Sequence, residues 1–157
     1  SLGNGLSVGV GMCMAGRAHK KNYNVYVLLG DGELQEGCVW EAAMCAAQHR
    51  IGRLTAIVDY NNLQINGTID SIVGIEPLAD KWRDFGWNVS EVNGHDIKEL
   101  TDAFQDCSKS ENPSVIIAHT VKGKGVSYME NMPKWHGSAI SDEELTAALR
   151  ELGEVSE

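Results

Sequence analysis

Two polar loops carry the residues best able to do chemistry. Gly30-Asp31-Gly32 and Asn61-Asn62 each directly follow a short apolar run, and thirty positions separate Asp31 from Asn61. One loop offers a carboxylate, the other a carboxamide. Mg²⁺ takes octahedral oxygen, usually from one or two protein groups completed by phosphate oxygens and water. Asp31 would supply the charged oxygen, Asn61 a neutral one, and a main-chain carbonyl just beyond it a third. Glycine on either side of Asp31 permits a tight turn and lets a bulky diphosphate approach the backbone. Gly-Asp-Gly and Asn-Asn are also plain turn sequences. Their joint placement after two strands favours a site.

Strands must hold these loops. Val25 to Leu29 and Leu54 to Val58 are continuous aliphatic or β-branched runs, as expected of central, parallel strands covered on both faces. The stretch between them, Glu36 to His49, is dense in alanine and other helix formers, which makes a strand–helix–strand unit with a right-handed crossover. In open parallel sheets ligands bind outside the carboxyl ends of strands, and both polar loops fall there. Further along, Asp96 with Glu99 and Ser141 with Glu144 are capping-box signatures for helices near 96–108 and 141–152. Leu78 to Phe85 reads as a short helix, and Trp87 to Val92 and Ser114 to Ala118 as strands. The expected architecture is α/β, a three-layer sandwich around a mainly parallel four-stranded sheet, with 119–137 as a long connection of a length usually functional or disordered. Leu6, Val10 and Met14 mark a helix from Gly3 to about His19 despite five glycines. Each glycine costs up to about 1 kcal/mol relative to alanine in a helix, so close packing must offset it. No strand precedes these glycines and no Gly-Lys-Ser/Thr ending follows, which argues against a dinucleotide fingerprint or a P-loop.

At Gly30-Asp31-Gly32-Glu33-Leu34-Gln35-Glu36-Gly37, followed by Asp59-Tyr60-Asn61-Asn62, the chain resembles the thiamine-diphosphate motif of the transketolases. Ser1-Leu2-Gly3-Asn4-Gly5-Leu6-Ser7 is similar to that family's Ser-Leu-Gly-Gln-Gly stretch. Lys122-Gly123-Lys124-Gly125 through Trp135-His136-Gly137 resembles the segment closing over the diphosphate. The likeness spans essentially the whole chain, and Trp-His-Gly points to transketolase over other thiamine enzymes. It implies a thiamine-diphosphate-binding fold, with residues 1–157 forming one diphosphate-binding domain truncated at its N-terminus. The family's upstream segment, which bears substrate-channel histidines, is missing. The ending resembles that of the N-terminal subunit of a split transketolase.

Carried over residue by residue, the resemblance implies that Asp31, Asn61 and the Leu63 carbonyl bind Mg²⁺. It places Ser1, Leu2, Gly32, Asn61, Lys122 and His136 against thiamine diphosphate, with His136 also facing the sugar-phosphate substrate. Glu36 and Glu41 match glutamates that link two active sites across a subunit interface; by themselves they read as acids stabilising a helix start. The helix from Glu36 to His49 is apolar or small nearly all round, as in a helix buried inside its domain or against a partner, so self-association through this region is expected. A lysine and a histidine donor would help balance a diphosphate that one metal ion and one aspartate leave under-neutralised. The ordinary alternatives are a solvated loop lysine at Lys122 and a histidine packed beside Trp135. His19, His49, His95 and His119 match no functional position and read as surface or core residues.

The reaction implied is transfer of a two-carbon ketol unit between sugar phosphates, the cofactor serving as electron sink. The glutamate that activates the cofactor's aminopyrimidine belongs, in this family, to a separate pyrimidine-binding domain. A pyrimidine-binding C-terminal subunit is therefore the implied partner, and the isolated chain should be inactive. Two alternatives are an inactive binding or assembly module and another thiamine enzyme, such as a deoxyxylulose-phosphate synthase or a 2-oxo-acid dehydrogenase component. Trp135-His136-Gly137 and Glu33-Leu34-Gln35-Glu36 disfavour the latter.

Composition sets outer bounds. A chain of 157 residues with 43% hydrophobic content buries roughly 68 to 70% of its unfolded surface, enough for one core. A formal charge of −9 and a pI near 5.0 argue against nucleic acid or anionic membrane as partner. Cys13, Cys38, Cys45 and Cys107 form no CxxC pair and no metal-finger spacing. Cys38 and Cys45 read as small core residues. With no secretory leader or long apolar span, a cytoplasmic location is expected.

Overall fold

The computed structural model describes residues 2–153. Ser1, a candidate cofactor contact, lies outside the described residues. The elements in chain order are α1 (Asn4–Ala18), β1 (Val25–Gly30), α2 (Gly37–Gln48), β2 (Leu54–Tyr60), β3 (Leu63–Gln64), β4 (Gly67–Thr68), α3 (Ile69–Ile72), α4 (Leu78–Asp84), β5 (Asn88–Asn93), α5 (Ile97–Cys107), β6 (Ser114–His119) and α6 (Asp142–Glu151). Single 3₁₀ turns span Gly32–Gln35 and Pro133–His136. No helix among the described residues is long and apolar enough to cross a membrane.

Four strands form one sheet in the order β1-β2-β6-β5, every pair parallel. Gly30 pairs with Asp59, Tyr60 with His119, and Asn93 with His119, so the strands end in step. The loops that begin at Asp31, Asn61, Gly94 and Thr120 consequently leave from one edge. The reading of β1 as a central strand is corrected: it is an edge strand. Val25 and Leu29 are buried, whereas Tyr26 and Leu28 on the opposite face are 51% and 72% exposed. Both faces of β2 and β6 are covered, which is why those strands read as unbroken apolar runs.

One layer contains α1, α2 and α4, and the other α5. Along α1 the glycines permit close approach. A Cβ on Gly9 would sit 2.6 Å from a Val27 methyl, so the helix lies against the sheet at a distance no larger residue would allow. Gly3 occupies the left-handed region at φ 83°, just before the first helical turn. Beneath α2 and α4 an aromatic cluster fills the core. Trp82 lies 5.1 Å from Trp40 and 4.8 Å from Trp87 between ring centroids, and Phe85 stacks on Trp40. On the opposite face Phe104 of α5 meets Tyr26 edge-on.

The α2 helix starts at Gly37, because the 3₁₀ turn and an extended Glu36 precede it. Val39, Ala42, Ala43 and Ala46 are buried, but Glu41, Met44 and Gln48 line an exposed stripe. Within this chain the helix is thus covered on one side only. Both cysteines in this region, Cys38 and Cys45, are free and half-buried. The Ser141 capping box is complete, each partner's side chain accepting the other's backbone N–H. The Asp96 cap is half of one: its carboxylate accepts from Lys98 and Glu99 N–H, but Glu99 reaches Asn93 N–H instead. The connection 119–137 is a chain of hydrogen-bonded turns; Asn131 N–H donates to the Lys122 carbonyl and Trp135 Nε1 to the Tyr128 carbonyl.

Candidate functional site

Where β1 and β2 end, the two polar loops are tied together. Asp31 is 2% exposed; its Oδ1 accepts Gly32 N–H at 2.8 Å and its Oδ2 accepts Asn62 N–H at 2.5 Å. The second bond spans thirty-one residues. Asn61 Oδ1 accepts Leu63 N–H at 3.0 Å, and its Nδ2 donates to Asp59 at 3.3 Å. Asp59 also accepts from the Thr120 hydroxyl, joining β2 to the end of β6. Asn62 takes the left-handed conformation, φ 59°, where asparagine is among the better tolerated non-glycine residues.

A cleft of about 560 Å³ opens over these loops. It is lined by Leu2, Asp31, Gly32, Asn61 and Leu63, with Lys122 and His136 arriving from the long connection. Glu36 lines it as well, while Glu41 is absent from it and faces outward on α2. The cleft also contains Gln64, Ile65 and Asn66 from the β3–β4 hairpin, an element not expected from the sequence. A larger cleft, about 640 Å³, lies at the opposite end of the sheet and contains none of the predicted site residues.

Burial raises the Asp31 carboxyl above the usual carboxylate range; N–H donors from Gly32, Asn62 and Asn61 pull it back, and the charge of Asp59 pushes it up again. The Asp31 carboxylate is thus held among neutral oxygens in a sheltered place, an arrangement that a divalent cation would stabilise. Each Asp31 oxygen retains a lone pair beyond its backbone bond, and so does Asn61 Oδ1. Among the described residues no three His, Cys, Asp or Glu side chains gather into a metal cluster. One carboxylate with neutral oxygens is the sparse protein set that suits Mg²⁺ when phosphate oxygens complete its shell. Two further observations fit a phosphate ligand. Gly32 lies directly under the Gln64 side chain: a Cβ there would lie 2.7 Å from Gln64 Oε1 and displace that amide. Gln64 Nε2 is buried and has no hydrogen-bond partner among the described residues, a donor that an anionic oxygen would satisfy.

Glu33, between the two halves of the Gly-Asp-Gly-Glu-Leu-Gln-Glu-Gly motif, supports the site from behind. Its Oε1 accepts Gly3 N–H at 2.8 Å and its Oε2 accepts Gly30 N–H at 3.1 Å. One carboxylate thereby fixes both the stretch bearing Leu2 and the start of the Asp31 loop. Glu33→Gln leaves one of these N–H groups facing an amide NH₂, a mismatch of about 1 to 3 kcal/mol. If the site takes the thiamine diphosphate that the resemblance implies, titration calorimetry should show its binding weakened about tenfold. Undiminished affinity would remove Glu33 from the site's support.

An open parallel α/β sheet with Asp31, Asn61, Lys122 and His136 lining one cleft at its carboxyl edge belongs to the sandwich class in which ligands bind beyond the strand ends. The family model for the transketolase thiamine diphosphate binding domain matches residues 1–156, and the chain belongs to that family. It is 45% identical to an apulose-4-phosphate transketolase subunit of Phocaeicola vulgatus over 98% of this chain and 55% of that protein. It is 41% identical to a 6-deoxy-6-sulfo-D-fructose transketolase subunit of a Clostridium species, over 97% of this chain and 56% of that one. The chain therefore spans just over half the length of these relatives. The crystal structure of transketolase from Campylobacter jejuni superposes with a TM-score of 0.92 at 32% identity, covering 97% of this chain and 25% of that one.

Proposed function

We propose that this chain is the diphosphate- and Mg²⁺-binding half of a transketolase that moves two-carbon ketol units between sugar phosphates together with a pyrimidine-binding partner. The observation that carries this reading is the Asn62-to-Asp31 hydrogen bond, which makes one site of two loops. Asp31, Asn61 and the Leu63 carbonyl would hold the metal. Gly32, Asn61, Lys122 and His136 would hold the diphosphate, with Leu2 beside the rings. Bound there, thiamine diphosphate supplies the electron sink for carbon–carbon cleavage. This chain's own residues bind and orient. Lys122 places a point charge against phosphate oxygen, and His136 offers a ring nitrogen as hydrogen-bond donor to phosphate or sugar oxygen. The names of the relatives, which call them subunits, support a two-chain assembly.

The exposed stripe of Glu41, Met44 and Gln48 on α2, together with exposed Val8 and Met12 on α1, which packs against α2, supports self-association through this region, with Glu36 and Glu41 acting there. A cytoplasmic location accords with the sugar-phosphate chemistry.

The test is reconstitution. The chain alone should bind thiamine diphosphate weakly and only with Mg²⁺, because half of the cofactor's contacts come from elsewhere. Mixed with a pyrimidine-binding partner, it should transfer ketol units within a panel of sugar phosphates. Turnover of 2-oxo acids alone would make it a different thiamine enzyme. Cofactor binding without any turnover beside a competent partner would make it an assembly module.

A further inference from the structure

The loop that carries Lys122 is held at its base by a side chain from another element. His95 sits between β5 and α5, and its Nε2 accepts the Val121 backbone N–H at 2.8 Å. Acceptance of that hydrogen requires an unprotonated Nε2, and therefore a neutral ring with its proton on Nδ1. The two loops are also packed backbone to backbone. Gly94 N–H donates to the His119 carbonyl at 2.8 Å, and a Cβ at Gly94 would collide with Thr120 Cγ2. His95 is set in turn by its own N–H, which donates to Asn93 Oδ1 at 3.0 Å. Asp96, Ile97 and the rest of α5 follow at once, so the imidazole projects from a capped helix start.

We infer that His95 is a positioning residue: its neutral imidazole holds the Val121–Lys122 backbone in place so that the Lys122 ammonium reaches the diphosphate. The inference rests on the reading of Lys122 as a diphosphate contact. Removing the ring nitrogen leaves the Val121 N–H without its acceptor, and the anchor is lost. The charged groups around this junction are Asp96 and Glu99 from the start of α5, Asp59 from β2, His119 from β6, and Lys122, Lys124 and Glu130 from the connection. Glu130 accepts Gly125 N–H and pairs with Lys124 at 3.5 Å. Its carboxyl is held below the usual range by that N–H first and by Lys124 next.

The test compares His95→Gln, His95→Ala and the unaltered protein, each assembled with its partner, by calorimetry with thiamine diphosphate and Mg²⁺. Glutamine presents an amide oxygen close to where Nε2 stood and keeps an acceptor there. His95→Ala should weaken binding about three- to tenfold, the loss of one hydrogen bond. His95→Gln should bind like the unaltered protein. Amide exchange adds a readout independent of the cofactor: Val121 N–H should exchange faster in His95→Ala but not in His95→Gln. Equal affinities and equal Val121 exchange in all three proteins would overturn the role of His95 alone. Failure of the unaltered protein to bind thiamine diphosphate would overturn the Lys122 reading, and this inference with it.

Discussion

Asp31→Ala should abolish Mg²⁺-dependent binding of thiamine diphosphate. The carboxylate is the single charged oxygen proposed for the metal, and it is buried, so solvent cannot substitute for it. Removing one partner from a buried charged pair costs about 3 to 5 kcal/mol, which is a loss of affinity of over a hundredfold. The same substitution frees the Gly32 and Asn62 N–H groups that Asp31 accepts, each costing about 1 to 3 kcal/mol if it stays buried. Two measurements separate these effects. A thermal melt without ligand reports the loop damage, and the further rise in melting temperature on adding Mg²⁺ with cofactor reports the site. The ligand-free protein should melt lower but cooperatively, and the ligand-induced rise should vanish. A variant that keeps the rise would show that the metal is held elsewhere.

The largest effect on stability belongs to Trp82→Ala. Trp82 is fully buried, and its ring touches those of Trp40 and Trp87. Large-to-small changes of this kind cost about 3 to 5 kcal/mol through lost transfer energy and the cavity left behind. In a domain of this length that lowers the melting point by roughly 6 to 20 °C. Trp82→Phe should cost less than half as much. Trp82 Nε1 is buried without a partner among the described residues, and phenylalanine removes that unsatisfied donor while retaining a ring. The damage should also reach the site, because Trp40 donates its indole N–H to the Leu34 carbonyl at 2.8 Å and so secures the turn after Asp31. Differential scanning calorimetry of both variants checks the order; a Phe variant as unstable as the Ala variant would refute the account of the N–H.

Strands β1, β2 and β6 were legible because parallel strands flanked by helices are long unbroken apolar runs, and their limits fall within two residues of those expected. The order of strands was not legible. That β1 lies at an edge is a fact of tertiary arrangement, and Val25 to Leu29 reads as equally apolar in either position. Two-residue strands leave no periodicity, so β3 and β4 escaped notice, although Asn66-Gly67 was a hairpin signal. The candidate metal and phosphate groups were found through spacing and resemblance. Glu33, Gln64 and His95 were not, for a shared reason: Glu33 and His95 act on backbone N–H groups far away in the chain, and Gln64 matters through burial, which only folding creates.

The bond from Asn62 N–H to the Asp31 carboxylate ties together two loops thirty-one residues apart. If a cation is held there as proposed, that tie bears part of the cost of ordering its seat, about 1 kcal/mol or more in backbone freedom for every residue it keeps fixed.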